Sequence, residues 1–199
     1  MEKHKKRRLV IYFFVLLLTL INFFILITPV FFVLKINDLG LLFYNHFSFL
    51  CHQLDSRSIC LTNNFMIVNC LENPKFLDKK KSTGIVLDNG IEKYKFPVCS
   101  RDIAIYLFLL VGLVYSIRKH GIDFSDVNNF TLLYISLIPI AIDGSLQTLT
   151  EFNIILPYVG PYESNNLLRI LTGSIAGFSS GYFLLPLLNY YLKFFFKEE

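Results

Sequence analysis

The chain has 199 residues, 54% hydrophobic, 16% aromatic and 17% charged, against roughly 25% charged for an average soluble domain. Its apolar content excludes a disordered chain, and few stretches are polar enough to form a long soluble extension. The net charge is 19 − 15 = +4, a balance that carries meaning only once the cations are located.

The first element is a basic leader followed by an apolar run. Lys3, Lys5, Lys6, Arg7 and Arg8 precede Leu9–Leu34, which holds no charged residue. A helix needs about 20 apolar residues to cross a bilayer. A cleaved signal peptide would have an apolar core of about 7–15 residues and a small-residue cleavage site. This run is longer and has no such site, so a retained membrane anchor is expected.

Next, Ile36–Leu50 is apolar but interrupted by Asn37, Asp38, Asn45 and His46. It is too short and too polar to cross, and reads as an interfacial or re-entrant helix. Residues 72–83, with Lys79, Lys80 and Lys81, read as a solvated loop. Thr83–Phe96 reads as two strands around the turn signal Asp88-Asn89-Gly90.

Three further spans are expected at about 98–117, 130–149 and 167–188. Arg101 and Asp102 sit at the mouth of the second, and Ser125 and Asp126 are candidate caps before the third. The third contains Pro139, Asp143 and Gln147; the fourth carries Arg169 near its start. Gly173, Gly177 and Gly181 repeat at intervals of four along the fourth span, a pattern for close helix packing. The expected fold is an all-α integral membrane bundle of four transmembrane helices, with an interfacial or re-entrant helix and an outer loop bearing a small β-hairpin. We read residues 1–199 as one membrane domain.

Lys and Arg set the orientation. The leader, the 118–129 loop (Arg118, Lys119) and the tail (Lys193, Lys197) share one side if four helices alternate. The short 150–166 loop has neither Lys nor Arg. Both termini are therefore expected in the cytoplasm, in a multi-pass protein of the cell membrane. The basic stretches are topology signals, and no nucleic-acid partner is indicated.

This topology gathers the notable polar residues at one level, on the outer side. Cys51, His52, Gln53 and Arg57 lie in the outer segment, with Cys99, Arg101 and Asp102 at the mouth of the second span. Asp143 and Gln147 share a face of the third, four residues apart. Glu163, Ser164, Asn165, Asn166 and Arg169 lie at the outer end of the fourth. An acid inside a span by default marks a functional site with a partner, and Arg169 is the expected partner of Asp143. The cytoplasmic side is expected to hold only ordinary charges.

All four cysteines, Cys51, Cys60, Cys70 and Cys99, fall in the outer segment. In an oxidising compartment disulfides are the default, and Cys51–Cys99 with Cys60–Cys70 is the preferred pairing, since the latter closes a short loop. The alternatives are a Zn²⁺ site from Cys51, His52, Cys99 and Asp102, or free thiols.

The string Cys51-His52-Gln53-Leu54-Asp55-Ser56-Arg57-Ser58 resembles a signature of the uncharacterised prokaryotic membrane-protein family called domain of unknown function 2085. Phe96-Pro97-Val98-Cys99-Ser100-Arg101, then Pro139 through Asp143-Gly144 and Gln147, then Glu163 through Arg169 with Thr172, Gly173 and Gly177, resemble its further motifs in order. Two departures stand out. Asp102 occupies the place of a second family cysteine, which weakens a thiolate-rich metal site or a redox pair. Residues 61–95 are an insertion, which brings Cys70 and the hairpin.

The resemblance implies a small multi-pass membrane protein and no reaction. Three functional expectations follow from the residues. One is a metal-assisted enzyme acting on a lipid-linked or amphipathic substrate, with Arg57, Arg101 and Arg169 on an anionic headgroup, Asp143 or His52 as acid or base, and Gln147 among the candidate catalytic residues. The second is a structural or binding membrane protein held together by the same polar motifs and its disulfides. The third is a thiol–disulfide protein using Cys51 and Cys99.

Overall fold

The first helix, α1, runs Glu2–Val33 through the basic leader and the apolar run without a break. Leu9, Phe13, Leu16, Leu20 and Phe23 lie on its exposed side, while Ile11, Ile25 and Phe32 are buried against the rest of the chain. The computed structural model describes residues 2–51, 54–72, 79–125, 130–152, 154 and 161–196. His52, Gln53 and Asp126 lie outside the described residues.

A short link containing Lys35, at positive φ, leads into α2, Asn37–Phe47. Two 3-10 turns follow, Ser48–Leu50 and Asp55–Arg57. The chain then builds a four-stranded antiparallel sheet from β1 (Ile59–Leu61), β2 (Ile67–Asn69), β3 (Ile85–Asp88) and β4 (Ile91–Lys95), in the order β2-β1-β4-β3. The predicted hairpin is β3–β4, with Asp88 opposite Ile91. Asn89 and Gly90 both have positive φ (51° and 78°), as a two-residue turn between right-twisting strands requires. The sequence reading missed the other half of the sheet: β1 adds to β4 with Cys60 opposite Lys95, and β2 adds to β1.

Helices α3 (Ser100–His120), α4 (Thr131–Glu151) and α5 (Asn166–Phe195) complete the chain. With α1 they make four helices long and apolar enough to cross a membrane. The end of α3 is fixed by Gly121, whose N–H returns to the Ile117 carbonyl at φ +82°. The start of α5 is capped by Asn165, whose Oδ1 accepts from the Leu168 N–H at 2.8 Å. Among the described residues no side chain caps α4, so Ser125 is not its cap. Ser125 instead accepts a 2.6 Å hydrogen bond from Lys193.

Helix α3 packs chiefly on α5, and glycine sets the approach. A Cβ at Gly181 would lie 2.0 Å from the Leu109 carbonyl oxygen, and one at Gly177 would lie 2.5 Å from that of Ile105. From the facing helix, a Cβ at Gly112 would meet the Phe178 carbonyl at 2.1 Å. These backbones touch only because the side chains are absent. Ile11, Leu113 and Leu185 close the contact of α1 with α3 and α5. A second apolar cluster joins α1 (Ile25, Phe32), α2 (Tyr44, Phe47), the sheet (Leu61, Tyr94) and the start of α3 (Val98, Ile103).

The two ends of the bundle are both polar, which corrects one expectation. At the end bearing the leader, Arg7 is 1% exposed. It donates to Asn189 Oδ1 at 3.0 Å and to Asp123 at 3.1 Å. Asn189 in turn donates to the Ile122 and Phe124 carbonyls. The leader is thus a folded part of the bundle as well as a charge signal. It ties α1 to the α3–α4 loop and to α5.

Candidate functional site at the sheet end of the bundle

Three helix segments and two turns meet beneath the sheet. The first turn of α3 supplies Cys99 as N-cap, then Ser100, Arg101 and Asp102. One face of α4 supplies Asp143 and Gln147, and its last residue is Glu151. The first turns of α5 supply Asn166, Arg169 and Thr172. The Asp55–Arg57 turn supplies Arg57. Cys51, at the end of the Ser48–Leu50 turn, completes the set.

The parts are held together by hydrogen bonds between the resembling motifs. Ser100 donates to the Arg57 carbonyl at 3.2 Å and to Asn166 Oδ1 at 2.8 Å. Asn166 donates back to the Ser58 carbonyl and to Asn69 Oδ1. Thr172 is used locally, its hydroxyl donating to the Leu168 carbonyl. Above this joint, fully buried Asp55 accepts from Lys95 at 2.8 Å and from both the N–H and hydroxyl of Ser82. Burial lowers the Lys95 pKa, and its contact with Asp55 opposes that shift.

The acid within α4 has a different partner from the one expected. Asp143 forms an ion pair with Arg101, and its other oxygen accepts from the Tyr162 hydroxyl at 2.7 Å. Arg169 donates to Gln147 Oε1 at 2.9 Å and to the Ser164 carbonyl at 3.0 Å. The cause is the close packing of α3 on α5. A Cβ at Gly173 would lie 2.7 Å from the Arg101 carbonyl, so Arg101 starts beside α5 and its side chain crosses to α4. Gly144, whose added Cβ would stand 3.6 Å from Arg101 Nη1, leaves room for it. Arg57 completes the ring, paired with Glu151 and 3.6 Å from Glu163.

The preferred cysteine pairing is half right. Cys60 and Cys70 form a disulfide, packed with Val86 on the sheet. No disulfide joins Cys51 and Cys99, so the expected Cys51–Cys99 bridge is absent. Cys99 Sγ instead points to Asp102, donating to Oδ2 at 3.0 Å. The donor atoms of Cys51, Cys99 and Asp102 lie within 4.8 Å of one another.

These groups surround a cavity of about 210 Å³, lined by Leu50, Cys51, Leu54, Arg57, Cys99, Arg101, Asp102, Gln147 and Arg169. Three guanidiniums face it. The carboxylates that orient Arg57 and Arg101, namely Glu151, Glu163 and Asp143, are not in its wall. Among the described residues no carboxylate lies within ion-pair distance of Arg169. Of the expected site residues, the structure brings together Arg57, Arg101, Gln147, Arg169, Cys51, Cys99 and Asp102, with Asp143 directly behind Arg101. His52 lies outside the described residues.

Sequence reasoning missed Glu151 and Tyr162 as members of this site. Glu151 was within reach, because Asp143, Gln147 and Glu151 form a stripe at intervals of four. Tyr162 had no periodic signal. It precedes the α5 cap in a loop, and only tertiary structure brings its hydroxyl to Asp143. Desolvation and the hydrogen bond to Asp143 push the Tyr162 pKa up to about 12.

Residues 90–183 match the family described as "Predicted membrane protein (DUF2085)". The resemblance read from the motifs that begin at Phe96 is therefore borne out, and the four apolar helices agree with the description. The match takes in the α3, α4 and α5 contributions to the cavity; Cys51 and Arg57 lie before it. A relative, uncharacterised protein MJ1492 of Methanocaldococcus jannaschii, is 39% identical over 95 residues. The alignment covers 47% of this chain and 54% of that protein, so the chain spans about half the length of the curated relative it matches. No solved structure matches.

Proposed function

We propose that the chain is a multi-pass protein of the cell membrane with both termini in the cytoplasm, and that its cavity binds the anionic headgroup of an amphipathic or lipid-linked ligand at the outer face. The observation that carries this reading is Arg169. It is 2% exposed, faces the cavity, and donates to neutral acceptors. A buried cation is costly without a counter-charge, and a phosphate or carboxylate in the cavity would supply one. Arg57 and Arg101 face the same space and offer the planar donors that suit such oxyanions.

Orientation and insertion support one another in this reading. The leader carries cations on one side, and the Cys60–Cys70 disulfide belongs to the opposite end, as an oxidising compartment requires. The exposed apolar residues of α1, and Leu132, Ile135, Ile138 and Ile142 on α4, would face acyl chains. α2, with Leu41 and Leu42 exposed, would lie at the interface. Residues 1–199 would form one membrane domain, with 61–95 a decoration that supplies most of the sheet.

The test uses detergent-solubilised full-length protein, chelator present, titrated with dodecyl phosphate and separately with inorganic phosphate. Saturable binding of dodecyl phosphate is expected, weakened about tenfold or more in Arg169→Gln, as loss of a charge-assisted hydrogen bond implies. Tighter binding of the dodecyl ester than of phosphate would favour an amphipathic ligand. Equal binding by wild type and Arg169→Gln would overturn the reading.

A second reading also has a specific observation. Arg101 joins α3 to α4, Arg169 joins α5 to α4, and Arg57 joins the turn before the sheet to α4. The same arginines would then be structural ties. Under this reading the exchange Arg101→Asp with Asp143→Arg restores folding and the protein's cellular role together. Restored folding without that role would favour a binding site.

A further inference from the structure

The thiols and the carboxylate on the cavity wall have no part in the anion reading. We propose that Cys51, Cys99 and Asp102 bind one Zn²⁺ ion, with its fourth position open to the cavity. The donor set suits this ion, since two thiolates and a carboxylate are ligands a borderline-soft cation accepts. The spacing suits it as well. Bond lengths of about 2.3 Å to sulfur and about 2.0–2.2 Å to oxygen place tetrahedral ligands roughly 3.5–3.8 Å apart. Here the three donor atoms lie within 4.8 Å, with Cys99 Sγ and Asp102 Oδ2 at 3.0 Å. Contraction by about an ångström at Cys51, and slight widening of the Cys99–Asp102 pair, would accommodate the ion.

The ligands stand on rigid elements, which a preorganised site needs. Cys99 is the N-cap of α3 and Asp102 lies in its first turn. Three-residue spacing turns both to one side of the helix. Cys51 comes from a distant part of the sequence. It packs against the apolar cluster that also holds Val98 and Ile103, so α2 and the start of α3 are fixed relative to each other.

Charge and protons balance without a co-reactant. Two neutral thiols and one carboxylate carry −1. Binding Zn²⁺ displaces both thiol protons to solvent, and the ion with two thiolates and a carboxylate again carries −1. The interior therefore receives no new net charge. All three ligands line the cavity that Arg169 also lines, so the fourth coordination position would open to that space. Three protein ligands with an open position are the arrangement of zinc ions that act as Lewis acids.

The site stands on its own ligands, and its test contains no anionic ligand, so its failure and that of the anion reading are separable. Full-length protein in detergent is loaded with Zn²⁺, dialysed, and analysed for metal and for thiols reactive with an aromatic disulfide reagent. About one ion per chain is expected, with two thiols protected until a chelator is added. Asp102→Asn should weaken Zn²⁺ binding about tenfold or more, with an unchanged elution profile. Should that variant misfold, Co²⁺ loading of the wild-type chain decides, since thiolate-to-cobalt charge transfer gives a distinct near-ultraviolet band. Absence of bound Zn²⁺ and of that band, thiols freely reactive in the loaded protein, or a Cys51–Cys99 disulfide that excludes the ion would each overturn the proposal.

Discussion

At the scale of single residues, Asp143 is the most exacting position in the bundle. It is 4% exposed and holds both the Arg101 guanidinium and the Tyr162 hydroxyl. Replacing it by Asn leaves the arginine without its counter-charge. Removing one partner of a buried pair costs about 3–5 kcal/mol, so Asp143→Asn should lower the unfolding temperature clearly in detergent. Tyr162 reports the same contact by its titration. Its pKa is raised to about 12 from an ordinary value near 10. A raised folded-state value stabilises the fold below the unfolded pKa, and that contribution is lost as pH rises from about 10 through about 12. Difference absorbance of tyrosinate should show one of the late-titrating tyrosines of the wild type moved to lower pH in Asp143→Asn. An unchanged titration in the variant would mean that the Asp143 charge does not hold the phenol. The sequence marked Asp143 by its depth alone, and could not name its partner. That choice depends on how α3 meets α5, which brings Arg101 across and leaves Arg169 to Gln147.

At the scale of elements, the glycine repeat was readable and the sheet was only half so. Spacing by four predicts one small face on α5 whatever that face meets, and the structure seats α3 against it. The β3–β4 hairpin was legible because Asn89-Gly90 is a local turn signal. The β1–β4 pairing was not, because Cys60 meets Lys95 across a long stretch of chain and short strands have weak patterns. The glycine face gives a graded prediction. Gly181→Ala places a methyl where the Leu109 carbonyl stands, 2.0 Å away. Helix separation then costs about 1–3 kcal/mol, as overpacking does. Gly144→Ala meets only the end of Arg101 at 3.6 Å, and a helical Gly→Ala exchange contributes about 0.5–1 kcal/mol of stability. Thermal unfolding of the two variants should therefore move in opposite directions. Equal shifts would mean that propensity, and not the α3–α5 contact, controls these positions.

At the scale of the whole molecule, the two polar ends differ in kind, and the difference supports one orientation. The leader end is built from Arg7, Arg8 and Asp123, an ion-pair cluster joined to the tail of α5 through Asn189. The hydrogen bond from Arg8 holds the Asp123 carboxyl below its ordinary pKa, so this tie is kept at neutral pH and lost as pH falls through that lowered value. The other end carries the disulfide, the sheet and the cavity. Composition located the four long helices but could not reveal that the leader is folded into the bundle, since a run of cations looks the same whether solvated or packed. The proposed orientation puts the cation-rich end in the cytoplasm and the disulfide in an oxidising space. Both consequences can be read with one reagent. In a chain with Cys51 and Cys99 replaced by Ala, Lys79→Cys should react with a membrane-impermeant maleimide added to intact cells. Lys119→Cys should react only after the cells are opened. Lys79 is exposed beside the sheet, and Lys119 is exposed at the far end of α3, so neither result depends on unfolding. The reverse pattern would turn the cavity toward the cytoplasm, and its ligand would then have to come from the inner leaflet.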